Sequence, residues 1–386
     1  MTVPPLHGLT IVEMAGIGPG PFCGMMLADH GAEVIRIDRG PRAGFPVDAR
    51  DPLLRGRKAI ALDLKSEAGR AAVRRIAAHA DGLIEGFRPG VMERLGLGPD
   101  VLLGDNPRLV YGRMTGWGQS GPLAQEPGHD IDYLAISGTL HALGRAGDKP
   151  TPPINLVADF GGGGMLLAFG MLAGLLHARA TGEGQVVDAA MTEGAALLTS
   201  MMWGFRAMGA WRGQRGENLL DTGAPFYDTY ETADGKWLAV GAIEPQFFAG
   251  LARVMELGER FAAPMMKPAL WPELRAELTA RFATRTRDAW VAAFAGSEAC
   301  VQPVLDFDEA AAHPHNRARG SFVEAGGVVQ PAPAPRYSTS PPVAPAMAGA
   351  RRDADWLHDL GFDEAEIAAL GHQTPTATIS GAGRRA

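Results

Sequence analysis

The sequence predicts an α/β protein: a parallel sheet with helices on its faces, followed by a smaller α+β unit. Three observations predict it. Across the first 190 residues, short apolar runs alternate with helical stretches, the pattern of strands joined by crossover helices. A Gly/Pro turn, GIGPGP at 16–21, follows the first apolar run, where a strand passes into a helix. Near residue 211 the apolar periodicity gives out, and a second set of strand and helix patterns begins beyond it.

Residues 9–14 are an apolar run that reads as a buried strand, 22–29 are helical, and 33–38 are a second strand. KAIAL at 58–62 is a third strand, 66–78 a helix, 82–85 a short strand and 109–113 another. Two longer helices are expected at 165–180 and 193–208. WRGQRGENLLDTG at 211–223 has two Gly-centred breaks and reads as a linker. Strands at 226–230 and 236–240 then flank the turn Ala233-Asp234-Gly235. Helical patterns follow at 246–257, 271–282 and 287–295. Residues 326–348 hold six prolines and read as a second, extended connection. Short helices are expected at 354–360 and 363–370, with a frayed tail at 372–386. The expected division is a large domain of 1–210 plus 330–386, a linker at 211–225, a small domain at 226–310 and a returning linker at 311–348.

With 386 residues the chain can bury two cores. The 46% hydrophobic and 20% charged content is that of a soluble globular protein. A net charge of −7 argues against nucleic acid as a partner, which calls for a basic domain. Cys23 and Cys300 form neither a zinc-site spacing nor a disulfide framework, which fits a reducing, cytoplasmic setting. MTVPPLHGLT has no secretory pattern, and GAGRRA is no peroxisomal address. The longest apolar run, 165–176, falls short of the ~20 residues that span a bilayer, so it reads as a buried helix and no membrane partner is expected.

The GIGPGP turn approaches the dinucleotide fingerprint GxGxxG, and Asp38 ends the second strand where an acid meets a ribose. Pro21 stands in place of the third glycine, however, and suits a first helical turn rather than close helix–strand packing. Arg39, Arg55, Arg57, Lys58, Lys65, Arg88 and Arg94 lie near strand ends or helix starts. They could receive a polyphosphate, or be ordinary solvated surface. His129 follows a Gly/Pro loop just before a helix, a setting for capping, packing or catalysis alike. Asp159 precedes four glycines at 161–164. It reads either as a helix cap or as a site acid, with open N–H groups at a Gly-rich helix start. Glu244 precedes Pro245 at another helix start. His313-Pro314-His315 has a chelating spacing in a proline-flanked loop. Met201-Met202 and Met265-Met266 suit a tolerant apolar surface or core packing equally.

Several blocks together carry a resemblance: VEMAGIGPGP (12–21), VIRIDR (34–39), ALDLK (61–65), EGFRPGV (85–91), MTGWGQ (114–119), GHDIDY (128–133), DFGGGG (159–164), GQVVDAAM (184–191) and the segment around Glu244. In that order they resemble the α-methylacyl-CoA racemase branch of the family III CoA-transferase superfamily. The resemblance implies a Rossmann-like large domain and a small domain joined by two linkers, with two such open rings interlocked as a homodimer. It implies an isomerase that interconverts (2R)- and (2S)-2-methylacyl-CoA thioesters through an enolate. His129 and Asp159 would be the two acid–base groups, and Glu244 from the partner subunit would orient His129. Substrate and CoA contacts would fall at Ile17, Arg39, Leu62, Asp63, Leu64, Lys65, Gly86, Arg88, Arg94, Gly128, Asp130 and Tyr133. No metal or redox cofactor is implied, because CoA enters as part of the substrate. Two alternatives stand beside this reading. One is a CoA transferase that uses Asp159 as a nucleophile; the other is a non-catalytic acyl-CoA-binding protein. His129 discriminates, because a transferase does not need a histidine there.

Overall fold

In the computed structural model, which describes residues 3–38, 50–346 and 355–371, the chain divides into two units. One comprises Met1–Ser137, Ile154–Leu198 and Gly320–Ala386; the other comprises Gly138–Pro153 and Thr199–Arg319. The boundary expected at 210 thus falls at Leu198, and 138–153 goes with the second unit. The helix expected at 193–208 is two helices, Met191–Leu198 and Ser200–Ala207, parted at Thr199.

The first unit holds a six-stranded sheet of β1 (Thr10–Met14), β2 (Glu33–Asp38), β3 (Arg57–Ala61), β4 (Gly82–Glu85), β5 (Val110–Thr115) and β6 (Gln185–Ala190). All are parallel, in the order β3-β2-β1-β4-β5-β6. β1, β4 and β5 are buried on both faces, which is why they read as continuous apolar runs. β6 is absent from the sequence reading: it is an edge strand, exposed over most of its first four residues, and QVVDAA has no such run. The strand order reverses between β1 and β4. Open α/β sheets bind ligands outside the carboxyl ends of the strands that flank such a reversal. The turns at 15–18 and 86–90 leave those two strand ends.

Five helices matter to the site. α1 (Pro19–Asp29) starts on a proline, whose missing N–H costs nothing at a first turn. α2 (Glu67–Ala78) is capped by Ser66, whose Oγ accepts from the Gly69 N–H at 3.0 Å. α3 is Asp130–Ile136. α4 runs unbroken from Leu156 to Thr181, its first ten residues wound as a π-helix. α5 is Met191–Leu198. Val73 and Ile76 of α2 join Val12, Ile35 and Leu83 of the sheet in one core, together with Leu357 and Phe362. α4 rests on β4 and β5, where Gly82 and Gly112 make room for Met171: a Cβ on either would come within 2.7 Å of that side chain.

The glycine stretch is therefore not a helix start, as the sequence suggested, but lies inside α4. The glycines serve close packing. A Cβ on Gly162 would lie 2.6 Å from the backbone N of Ala195 on α5, and one on Gly164 would lie 2.8 Å from Phe22 of α1. In turn, a Cβ on Gly194 of α5 would fall 1.8 Å from the Gly162 carbonyl oxygen. With this extension α4 becomes 26 residues long, and by length and composition alone it could cross a membrane. The shorter apolar run read from the sequence is thereby corrected. Leu167, Met171 and Leu175 are buried, whereas Met165, Phe169 and Leu176 are exposed.

Beneath the first turn lies a buried ion-pair ladder. Glu13 on β1 is fully buried and receives Arg36 of β2 and Arg57 of β3, the latter at 2.9 Å. Arg57 also donates to the Pro21 carbonyl, and Gly24 on α1 is the residue small enough to pass over the Glu13–Arg57 pair. Arg55 is likewise buried, donating to Asp29 at 2.9 Å and to Gln330 at 2.8 Å. Gln330 belongs to a hairpin of β10 (Phe322–Ala325) and β11 (Val328–Pro331), so the segment expected to return as an extended linker begins with paired strands. The helices Phe307–Ala312 and Pro314–Arg319 precede it.

The second unit has a three-stranded antiparallel sheet of β7 (Tyr227–Glu231), β8 (Trp237–Gly241) and β9 (Val301–Pro303). Two of these strands match the sequence expectation; β9, three residues long, is additional. Phe226, Tyr230, Phe248, Phe282 and Trp290 fill its core. The stretch read as a linker at 211–225 is tied by its own hydrogen bonds: Asn218 Oδ1 accepts from the Arg212 N–H at 2.7 Å, and Asp221 accepts from the Asn218 N–H at 2.7 Å. Buried Asp228 pairs with Arg275 and, at 2.9 Å, with Arg145, which explains why 138–153 belongs to this unit.

Candidate active site

His129 is the N-cap residue of α3, with extended backbone angles. Its N–H donates to Asp132 Oδ2 at 2.9 Å, half of the reciprocal arrangement that starts many helices. The residue is exposed. Behind it, Tyr133 is 7% exposed and its hydroxyl donates to the Gly128 carbonyl, holding the loop that delivers His129. The Trp117 ring meets Tyr133 edge-on at 4.8 Å. Gly116 and Gly128 admit this pair: a Cβ on either would run into the Tyr133 ring.

Asp159 lies in the first turn of α4 and is half-buried. Asn155, at φ 63°, precedes the helix and donates from Nδ2 to Asp159 Oδ2 at 2.8 Å. From the first β–α turn comes Gly18, at φ 67°, where a Cβ would lie 3.5 Å from Asp159 Oδ2. Burial pushes the Asp159 carboxyl above the ordinary aspartate range; the Asn155 hydrogen bond opposes this, the charge of Asp130 adds to it, and His129 opposes it. Burial likewise pushes the Tyr133 phenol up to about 12, with the charges of Asp159 and Asp132 adding to it and Arg88 opposing. The structure therefore gathers His129, Asp130, Tyr133, Asp159 and Arg88 within electrostatic reach of one another, beside the turn that leaves β1.

Asp130 is 3% exposed. Its Oδ1 accepts from the N–H of Ala158 at 3.0 Å and of Asp159 at 2.8 Å. The side chains of Asp130 and Tyr133, both expected to touch substrate or CoA, are thus engaged inside the protein.

The other expected contacts divide by exposure. Ile17, Gly86, Arg88 and Arg94 are exposed, and among the described residues neither arginine has an ion-pair partner. Glu85 supports the 86–88 turn: it accepts from the Phe87 N–H at 2.7 Å and pairs with Arg113 at 2.9 Å. Burial raises the Glu85 carboxyl above its ordinary range, against the pull of that hydrogen bond and of Arg113. Leu62 and Leu64 are core residues, 1% and 5% exposed, so only Asp63 and Lys65 of that segment present side chains to solvent. Arg39 lies outside the described residues. Arg55 and Arg57 are removed from the group of candidate phosphate ligands by their buried ion pairs, and Lys58 pairs with Glu33 at 2.6 Å.

Glu244 belongs to the second unit, as the exposed N-cap residue of the helix Pro245–Val254. Among the described residues, no cluster of three or more His, Cys, Asp or Glu side chains is placed to hold a metal ion. Reading the sequence missed Asn155 and Gly18, which are marked only by their left-handed backbone angles. It also missed the internal role of Asp130.

Two relatives are similar over nearly the whole chain. The α-methylacyl-CoA racemase of Mus musculus is 47% identical over 373 residues, and that of Homo sapiens is 44% identical; each match covers 95% of this chain and 96% of the relative. Among solved structures, a CAIB/BAIF family protein from Brucella suis superposes with a TM-score of 0.81 at 26% identity, over 93% of this chain and 100% of that one. The sequence profile of CoA-transferase family III matches residues 6–349. The chain belongs to CoA-transferase family III.

Proposed function

We propose that this protein is an α-methylacyl-CoA racemase. The observation that carries the reading is the proximity of His129 and Asp159, two titratable groups at adjoining helix starts whose charges reach one another. A carbon beside a thioester carbonyl is a weak acid, so its proton is removed only by a base held close while the enolate is stabilised. One group takes the α-proton on one face of the planar enolate and the other returns a proton on the opposite face. The roles exchange with the handedness of the substrate. Burial keeps the Asp159 carboxyl closer in proton affinity to an imidazole than an ordinary aspartate would be, which suits a pair that must trade roles. The glycines inside α4 do not supply the enolate donors. The open N–H groups of Asp130 and Ile131, at the start of α3 beside His129, take that part. The reaction uses no metal or redox cofactor.

CoA lies along the crevice between β1 and β4, with Ile17 and Gly86 against it and Arg88 and Arg94 on its phosphates. The reversal of strand order between β1 and β4 supports this placement. Arg88→Ala and Arg94→Ala are each expected to raise KM for an acyl-CoA about tenfold, more steeply at low salt, with kcat little changed; steady-state kinetics check this. The proposal includes an interlocked homodimer, in which Glu244 of the partner subunit orients His129. The exposed apolar face of α4, with Phe169 and Leu176 each 70% exposed, supports burial against a second copy.

The test is incubation of a pure 2-methylacyl-CoA enantiomer in deuterated water, following configuration and deuterium at the α-carbon. Inversion with α-deuteration is expected. Transfer of CoA to an added carboxylate without α-exchange would replace this reading with a transferase, and neither event would leave a binding protein.

A further inference from the structure

We propose that Asp130 is a positioning residue: its buried carboxylate, one residue from His129, holds the backbone of Asp159 and so sets the spacing of the two bases. The inference rests on the two-base reading above.

A buried carboxylate is costly unless it is hydrogen-bonded. Among the described residues no Lys, Arg or His pairs with Asp130, although it is 3% exposed. Its partners are instead the N–H groups of Ala158 and Asp159, at 3.0 and 2.8 Å on the same oxygen, Oδ1. Those N–H groups belong to the first turn of α4 and have no acceptor within their own helix. The residue in the N-cap position, Asn155, makes no capping bond with its side chain; its amide holds the Asp159 carboxylate instead. Two tasks normally done from one position are therefore divided. Asp130, at the first position of α3, caps the helix, and Asn155 aims the acid. An acceptor at a helix start is favourable, and here it is supplied by Asp130 rather than by the N-cap residue.

The consequence is geometric. His129 has its backbone fixed by α3, and Asp159 has its backbone fixed by the next residue of α3. Neither base can shift along its helix axis without breaking the Asp130 bonds. The groups whose charge reaches Asp159 are Asp130 on α3 and His129 at its start, with the Tyr133 hydroxyl beside them and Arg88 beyond. Asp130 thus also places a like charge next to the acid it positions.

The test compares full-length Asp130→Ala and Asp130→Asn with the parent protein. Three readouts are taken: kcat and KM on both enantiomers, the partition of α-deuterium between retained and inverted product, and the pH profile of kcat/KM. Asp130→Asn keeps an Oδ1 acceptor and is expected to hold kcat within about tenfold. It should also move the acid limb to lower pH, since a like charge beside Asp159 is gone. Asp130→Ala is expected to lower kcat ~100-fold, the scale of a 1 Å misplacement, with KM little changed. Deuterium should then enter mainly with retention, because one base still exchanges the proton while delivery to the other face fails. The inference is overturned if Asp130→Ala keeps the parent partition and kcat, or if Asp130→Asn is as damaged as Asp130→Ala. If Asp130→Ala does not fold, the Asp130→Asn profile decides alone, and an unmoved acid limb rejects the proposal. Failure of the underlying reading looks different: the parent protein itself would not racemise.

Discussion

Replacing Asp159 by asparagine is expected to lower kcat for racemisation ~1,000-fold, within the range set by loss of a positioned acid–base group. The amide has nearly the same shape and can still accept from Asn155, so the fold around it persists. The stability of the variant is expected to move the other way. The folded-state pKa of Asp159 is raised, chiefly by burial and then by the charge of Asp130. A carboxyl of this kind contributes stability below its ordinary unfolded pKa and loses that contribution as pH rises through the raised value. At neutral pH the ionised Asp159 therefore opposes folding, and Asp159→Asn should melt at a slightly higher temperature than the parent at pH 7. That difference should shrink and vanish as the pH falls below the ordinary aspartate range. Calorimetric scans at several pH values, alongside initial rates, check both halves. A variant that retained full racemase activity would remove Asp159 from the chemistry. A melting temperature that fell at pH 7 would show its charge to be stabilising.

Gly194→Ala is expected to destabilise the protein by about 3 kcal/mol, at the upper end of overpacking costs. The added Cβ would fall 1.8 Å from the Gly162 carbonyl oxygen, a backbone atom inside α4 that cannot turn aside. For a unit of this size the loss corresponds to a drop in Tm of about 10 °C. Because Gly162 lies three residues from Asp159, a displaced α4 should also lower kcat. Gly204→Ala is the control. It lies in the helix Ser200–Ala207, where an added methyl group would meet nothing within 4 Å, and it should gain about 0.5–1 kcal/mol from helix propensity. Chemical denaturation of both variants measures the contrast, and equal stabilities would refute the close α4–α5 approach.

The same contact explains what the sequence hid. Four successive glycines read as the start of a helix rather than its interior because glycine is a poor helix former. In the structure, close approach of α1, α4 and α5 outweighs that preference, an effect available only once the partners are in place. β1, β2, β4 and β5 were legible because they are largely buried runs, and β3, although an edge strand, through the apolar KAIAL; β6 was not, since its edge position leaves QVV largely exposed. The prolines at 331 and 333 suggested an extended linker, yet Pro331 closes a hairpin pair with Phe322. At the site, His129 and Asp159 stood out through the blocks around them, whereas Asp130 acts on residues 28 and 29 positions away, a link no local pattern contains. Arg55 and Arg57 read as either phosphate ligands or solvated surface because a sequence records charge but not burial; Asp29 and Glu13 already hold them.

His129 itself remains exposed, with its loop held by Tyr133 and its helix tied to α4 by Asp130. Placement and chemistry are thereby assigned to different side chains. Exchanging the exposed imidazole is expected to affect folding little, in contrast to exchanging buried Asp130 or Tyr133. On the proposed two-base reading, a single change at 129 would retire one base and leave Asp159 still aimed by Asn155, ready for other chemistry on a thioester.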